Sequence, residues 1–262
     1  MTMQQPAPAS EPVAAPVKTT TDDLGIDRAL ILQLAQVPFI ALGLVLLAYL
    51  SHLLWDAVGF GGHNYGPIIV LCASMILAAV IDGWAFKVPN WLTLSVVISG
   101  WAIGLLHTCG VTEMGFSPEQ TGGIGAALVG TLVGFALLFP LLAIIGMGQG
   151  DVKMLMGFGS WVCAFFGLQA GLMVLVWAFC LGAIVGGIFG LVMMVCRRKF
   201  SKNLSNFKEI ITDLKVMATM GPAAANERAT ARRSSWDRLP YGIPLCIGFV
   251  GYLLYLVKVG AL

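Results

Sequence analysis

"IIVLCASMILAAVIDGWAFKVPN", residues 68–90, is an unbroken apolar run that stops at a carboxylate and passes into a Lys-Val-Pro-Asn turn. It has no polar/apolar alternation of the kind a half-buried strand shows, and no charge before Asp82. With its flanks it approaches the roughly 20 residues that a helix needs to cross a hydrocarbon core. This stretch predicts a membrane helix, and it leaves a question: why does the helix finish on an acid?

The rest of the chain has the same character. Of 262 residues, 58% are hydrophobic and only 11% are charged, and the mean hydropathy is +0.88. Soluble domains carry about 25% charged residues, so the expected class is an all-α integral membrane protein, a polytopic helical bundle. Apolar runs at Leu30–Trp55, Ile68–Asp82, Trp91–Leu106, Ile124–Ile145, Val152–Phe166, Gly171–Val195 and Tyr241–Val257 predict about seven transmembrane helices. "PEQTGG" and "GQG" punctuate them as loops. The many glycines inside the runs, Gly130 and Gly134 among them, are expected to let helices pack closely.

Residues 1–28 are polar, rich in Ala, Pro and Thr, and are expected to form a disordered tail without the basic start of a signal peptide. Residues 29–66 are expected to hold an extra N-terminal span and its loop, and 67–258 a six-helix core. Ten of the fifteen Lys and Arg fall in the segment 197–240. Short basic loops stay on the cytoplasmic side. That segment is therefore expected inside, residues 107–122 outside, the N-terminus inside and the C-terminus outside. Within the insert, Phe207, Ile210, Ile211, Leu214 and Met217 share one helical face, which predicts a short helix lying on the inner membrane surface.

Parity now connects two acids. Asp82 ends the second span and Asp151 begins the fifth. Two complete spans separate them, so both return to the same, cytoplasmic, face. An Asp at membrane depth costs about 2.5–3.5 kcal/mol on insertion scales. Either acid alone is unexceptional as an interfacial residue or a cap; both on one face, beside Gly and Pro punctuation, suggest a joint role. Asp151 follows "GMGQG" and is placed to cap the next helix, facing the positive end of its dipole, whereas Asp82 faces a negative helix C-terminus. Gly148 and Gly150 would let another backbone approach. Two close carboxylates do not readily ionise together: one holds a proton while the other activates water, which is sufficient for peptide hydrolysis. The six cysteines are scattered singly, with no CxxC, and His52, His63 and His107 lie near expected helix ends or in loops. No metal site and no cofactor are expected.

Three motifs carry a resemblance. "GQGD" at 148–151, continuing as "GDVKMLMGFGSWVC", resembles the GxGDVK form of the type 4 prepilin peptidases, which are GxGD membrane aspartic proteases. "IDGWAFKVPNWLTL" (81–94) is similar to that family's Asp preceding a Pro-Asn-x-x-Thr turn, and "LPYGIPLCIG" (239–248) to its final span. The resemblance covers about 68–258. It implies a catalytic pair, Asp82 and Asp151, that cuts the basic leader from prepilins or pseudopilins after a Gly at the cytoplasmic face of the inner membrane. Gly148, Gly150, Lys153, Lys87, Pro89 and Asn90 belong to the motifs as supporting residues, with loop anchoring as their expected part. The implied partners are a prepilin substrate and the lipid bilayer, with no nucleic acid. The chain lacks the paired CxxC of the bifunctional, methylating members, and so looks more like the short peptidase-only form of Flp/Tad-type pili. The competing reading is a transporter or channel whose acids relay ions or protons; a presenilin-like protease fits less, since the Tyr-Asp pair and the Pro-Ala-Leu motif are missing.

Overall fold

The computed structural model describes residues 28–59, 63–85, 88–112, 114, 121–145, 148–196, 212, 219 and 241–260. Among the described residues all regular structure is helical: α1 (Arg28–Val58), α2 (Gly66–Ala85), α3 (Asn90–Thr108), α4 (Ile124–Ile145), α5 (Gln149–Cys196) and α6 (Gly242–Lys258). The expected tail and the expected surface helix at 207–217, Thr212 excepted, lie outside the described residues.

α5 is the element whose length needs explaining. Its 48 residues would extend roughly 70 Å if straight, more than twice a hydrocarbon core. It is not straight. Gly167 has φ 76° and ψ 174°, a backbone conformation essentially reserved for glycine. Beyond it the chain folds back: a Cβ placed on Gly171 would lie 2.6 Å from Cys163 Cα, and one on Gly159 would lie 3.1 Å from Leu175. α5 is thus a helical hairpin with its tip at Gly167, and its two arms match the two runs expected at 152–166 and 171–195. α1, α2, α3 and α5 are long and apolar enough to cross a membrane; the apolar stretches of α4 and α6, Ile124–Pro140 and Gly242–Lys258, are shorter. The protein is an integral membrane helical bundle.

The first arm of α5 is the centre of that bundle. Phe158, Trp161, Phe165 and Leu155 are fully buried, as befits a helix apolar on all sides. α3 holds one flank: Trp161 Nε1 donates to the Val96 carbonyl (2.9 Å) and to Ser99 Oγ (3.0 Å). α4 holds another, crossing where a Cβ on Gly130 would be 2.2 Å from the Gly159 carbonyl and one on Gly159 2.3 Å from the Gly130 carbonyl. The expected close packing through small residues is found there. α6 completes the wall, with Phe249 stacked on Phe158 at 4.3 Å between ring centroids. α1 packs on α2 and α3, its other side presenting Phe39, Leu42, Leu46 and Leu50 to the bilayer. Asp151 therefore sits at the start of the most enclosed helix in the molecule.

Candidate active site

Asp82 lies in the last turn of α2 and is 6% exposed. Its Oδ2 accepts the backbone N–H of Gly242 at 2.9 Å, across 160 residues of sequence. Gly242 is the first residue of α6. A Cβ there would fall 2.8 Å from Asp82 Oδ2, so the close approach depends on glycine. The N-terminus of a helix presents unpaired N–H groups and a positive partial charge. Asp82 thus ends one helix and caps another, which removes the dipole asymmetry expected between the two acids: each faces a helix N-terminus.

Asp151 is 5% exposed and lies within the first turn of α5, which starts at Gln149. It is not the capping residue expected from the sequence, because the helix begins two residues earlier; its own N–H donates to the Gly148 carbonyl at 3.2 Å. Oδ1 of Asp151 is buried with no hydrogen-bond partner among the described residues. Leaving such an atom unpaired costs about 1–3 kcal/mol, a cost that commonly marks a functional group. Asp151 and Asp82 are close enough to act on each other through their charges. A Cβ on Gly148 would lie 3.1 Å from Asp151 Oδ2, so the Gly-x-Gly segment lets the chain pass tightly round the carboxylate.

The turn after α2 and the start of α3 are pinned to the first turns of α5. Pro89 is the N-cap of α3, and its carbonyl accepts the N–H groups of Leu92 (3.2 Å) and Thr93 (3.3 Å) and the Thr93 hydroxyl (3.4 Å). This explains the Pro-Asn-x-x-Thr pattern: it closes the first turn of α3. Lys153 Nζ donates to Asn90 Oδ1 at 2.6 Å. Nearby, a Cβ on Gly150 would lie 2.9 Å from Val88 Cβ. Of the residues singled out in the sequence, Asp82, Asp151, Gly148, Gly150, Lys153, Pro89 and Asn90 gather at this end of the bundle; Lys87 lies outside the described residues.

Two residues were missed. Gly242 holds Asp82, and Tyr241 lies within reach of the Asp151 charge with its ring across Gly186 of the second arm of α5. Their signal was the Pro-Tyr-Gly segment, which marked the last helix but not its contact with the acids. At the opposite end, His107 Nδ1 lies 3.1 Å from both the Gly122 and Ala164 carbonyls and ties α3, α4 and the hairpin tip together.

Fold and site define a class: a polytopic helical membrane protein with two buried carboxylates at one end of the bundle. A family model described as the type IV leader peptidase family matches residues 69–187, from α2 into the second arm of α5. Over residues 69–187, somewhat less than half of its length, the chain is similar to that family. It is 30% identical over 143 residues to the prepilin leader peptidase/N-methyltransferase of Aeromonas salmonicida strain A449, and equally to the one recorded for Aeromonas salmonicida. The match covers 51% of this chain and 42% of the length of those relatives. No solved structure matches the chain.

Proposed function

We propose that the protein is a membrane aspartic endopeptidase that removes the basic leader from prepilin or pseudopilin precursors at the cytoplasmic face of the inner membrane. The observation that supports this reading best is a pair of carboxylates, each about 95% buried, at the same end of the bundle, one in the last turn of α2 and one in the first turn of α5. The reaction needs no more than the pair. One carboxylate takes a proton from water, whose oxygen attacks the scissile carbonyl carbon, while the protonated partner donates to the carbonyl oxygen. The tetrahedral intermediate collapses as the C–N bond breaks and the leaving nitrogen takes up a proton. Asp82 Oδ2 is already engaged by Gly242, whereas the buried Asp151 Oδ1 has no hydrogen-bond partner among the described residues and is the acceptor this reading assigns to water or substrate.

On this reading residues 67–258 form the catalytic core, with the basic insert 197–240 inside, and 29–66 supply an additional span. The bundle has seven spans, with the two arms of α5 crossing separately, the N-terminus inside and the C-terminus outside. Gly148 lets the chain pass close to the Asp151 carboxylate, Gly150 lets α5 close on Val88, and Lys153, Asn90 and Pro89 hold the α2–α3 turn against α5. The kinship with prepilin peptidases supports a pilin-like substrate, and the Flp/Tad type is the form it fits. Purified protein in liposomes should cut a peptide made of a lysine-rich leader, one Gly and an apolar segment, on the C-terminal side of the Gly. A peptide that stays intact on prolonged incubation, beside a proton or ion flux through the same liposomes, would replace this reading with the transporter one.

A further inference from the structure

The start of α6 is held from two sides. On one side the Gly242 N–H donates to Asp82 Oδ2 at 2.9 Å. On the other, Tyr241, the N-cap of α6, lays its half-buried ring across Gly186 on the second arm of α5. The Tyr241 carbonyl also accepts the Leu245 N–H at 3.2 Å and closes the first turn of α6, so backbone and ring fix the same point. The socket requires glycine: a Cβ on Gly186 would lie 2.9 Å from Tyr241 Oη, 3.0 Å from Cζ and 3.3 Å from Cε2. One turn earlier on that arm the two helices touch backbone to backbone, a Cβ on Gly248 falling 2.4 Å from Gly182 Cα. Gly187, next in sequence, meets nothing within 4 Å, so the socket belongs to a single face.

The arms of the α5 hairpin run antiparallel, with Gly159 beside Leu175 and Gly171 beside Cys163. Continuing that register brings Gly186 to the level of the start of α5, where Asp151 lies, and Tyr241 is within reach of the Asp151 charge. α2 packs on α1 and α6 much more than on α5, whereas α6 packs extensively on α5. The position of Asp82 relative to Asp151 is therefore set largely through α6. A path of contacts runs from Asp82 through Gly242 and Tyr241 to Gly186, on the hairpin that carries Asp151.

We infer that Tyr241 is a positioning residue: seated in the Gly186 socket, it holds the start of α6 where the Gly242 N–H meets Asp82, and so fixes the Asp82 carboxylate relative to Asp151. The effect on rate rests on the peptidase reading, to which the inference adds the part that sets one acid against the other.

The test is Gly186→Ala in the full-length protein, held in phosphatidylcholine/phosphatidylglycerol nanodiscs and read in two ways. Deuterium exchange of the Gly242 amide, followed by mass spectrometry, should quicken about tenfold as the displaced ring takes the start of α6 off Asp82. The kcat for cutting the lysine-rich leader peptide, per folded molecule, should fall about tenfold with KM unchanged, because the geometry of the acids is altered and the binding surface is not. Adding Tyr241→Phe removes the Oη nearest the new methyl group; it should restore about a third of the kcat or more and slow the exchange again. Tyr241→Ala empties the socket without crowding it and should reproduce both losses, which keeps the test decisive if Gly186→Ala does not fold. Gly187→Ala should alter neither readout. Unchanged exchange or unchanged kcat in the folded Gly186→Ala and Tyr241→Ala variants, failure of Tyr241→Phe to rescue, or equal losses in Gly187→Ala overturns the assignment. Faster exchange in the variants of a protein whose unsubstituted form leaves the peptide intact upholds the anchor and sinks the peptidase reading; full-rate cleavage by every variant does the reverse.

Discussion

Gly242 shows how much a single hydrogen atom can decide. Its N–H reaches Asp82 only because no Cβ stands 2.8 Å from the carboxylate oxygen. Gly242→Ala must displace either the acid or the start of α6; overpacking of this kind costs about 1–3 kcal/mol. Cleavage measured per folded molecule should fall at least tenfold, a loss of about 1.4 kcal/mol or more in transition-state stabilisation. Gly251→Ala in the same helix, where the nearest atom outside the helix backbone is Leu181 Cδ2 at 3.9 Å, should change nothing. Equal losses in the two variants would mean that α6 merely tolerates no alanine. Lys153 offers a second residue-scale test. Hydrogen bonds to charged groups contribute about 1.5–3 kcal/mol, so Lys153→Met should slow cleavage roughly tenfold. Asn90→Ala should slow it as well, and the double variant should be no slower than Lys153→Met, because losing the lysine already removes the link to Asn90. Losses that multiply would show that the two side chains act apart. The acids themselves were legible in the sequence, since a carboxylate bordering an apolar run is conspicuous. Their anchors were not. Asp82 and Gly242 are 160 residues apart, and Lys153 and Asn90 are 63 apart, so no local pattern joins them.

At the scale of elements the apolar runs located α1 to α6 among the described residues, and the reason is physical: a bilayer demands length and apolarity, and both are written in composition. The hairpin inside α5 was legible as two runs, but its hinge was one of 32 glycines with no mark to distinguish it. Only the backbone angles of Gly167 do so. A side chain there forces a conformation that costs about 1–3 kcal/mol. Gly167→Ala should therefore lower the thermal unfolding midpoint in detergent, while activity per folded molecule persists, because the hinge lies at the hairpin tip, at the far end of the first arm from Asp151. Gly187→Ala, with nothing within 4 Å of the new methyl group, should keep or slightly raise the midpoint. Matching midpoints for the two would contradict the hinge assignment. Capping was the weaker part of the sequence reading: Asp151 looked like a cap because Gly150 looked like a break, and tertiary contact between Gly150 and Val88 instead lets the helix start at Gln149.

For the molecule as a whole, parity of spans brings Asp82 and Asp151 to one end, and the packing of α5 among α3, α4 and α6 buries them together. The proposed orientation has native probes in two exposed cysteines, Cys109 after α3 and Cys196 at the end of α5. In intact cells an impermeant maleimide should label Cys109 and spare Cys196 until the membrane is opened; the opposite pattern would put the acids on the outer face. The central claim is that the two acids act as one catalytic unit, and rates of peptide cleavage by Asp82→Asn, Asp151→Asn and the double variant, in protein shown to be inserted and folded, test it most directly. The account predicts that each single variant abolishes cleavage and that the double variant is no worse than either. Clear turnover in either single Asn variant would contradict it.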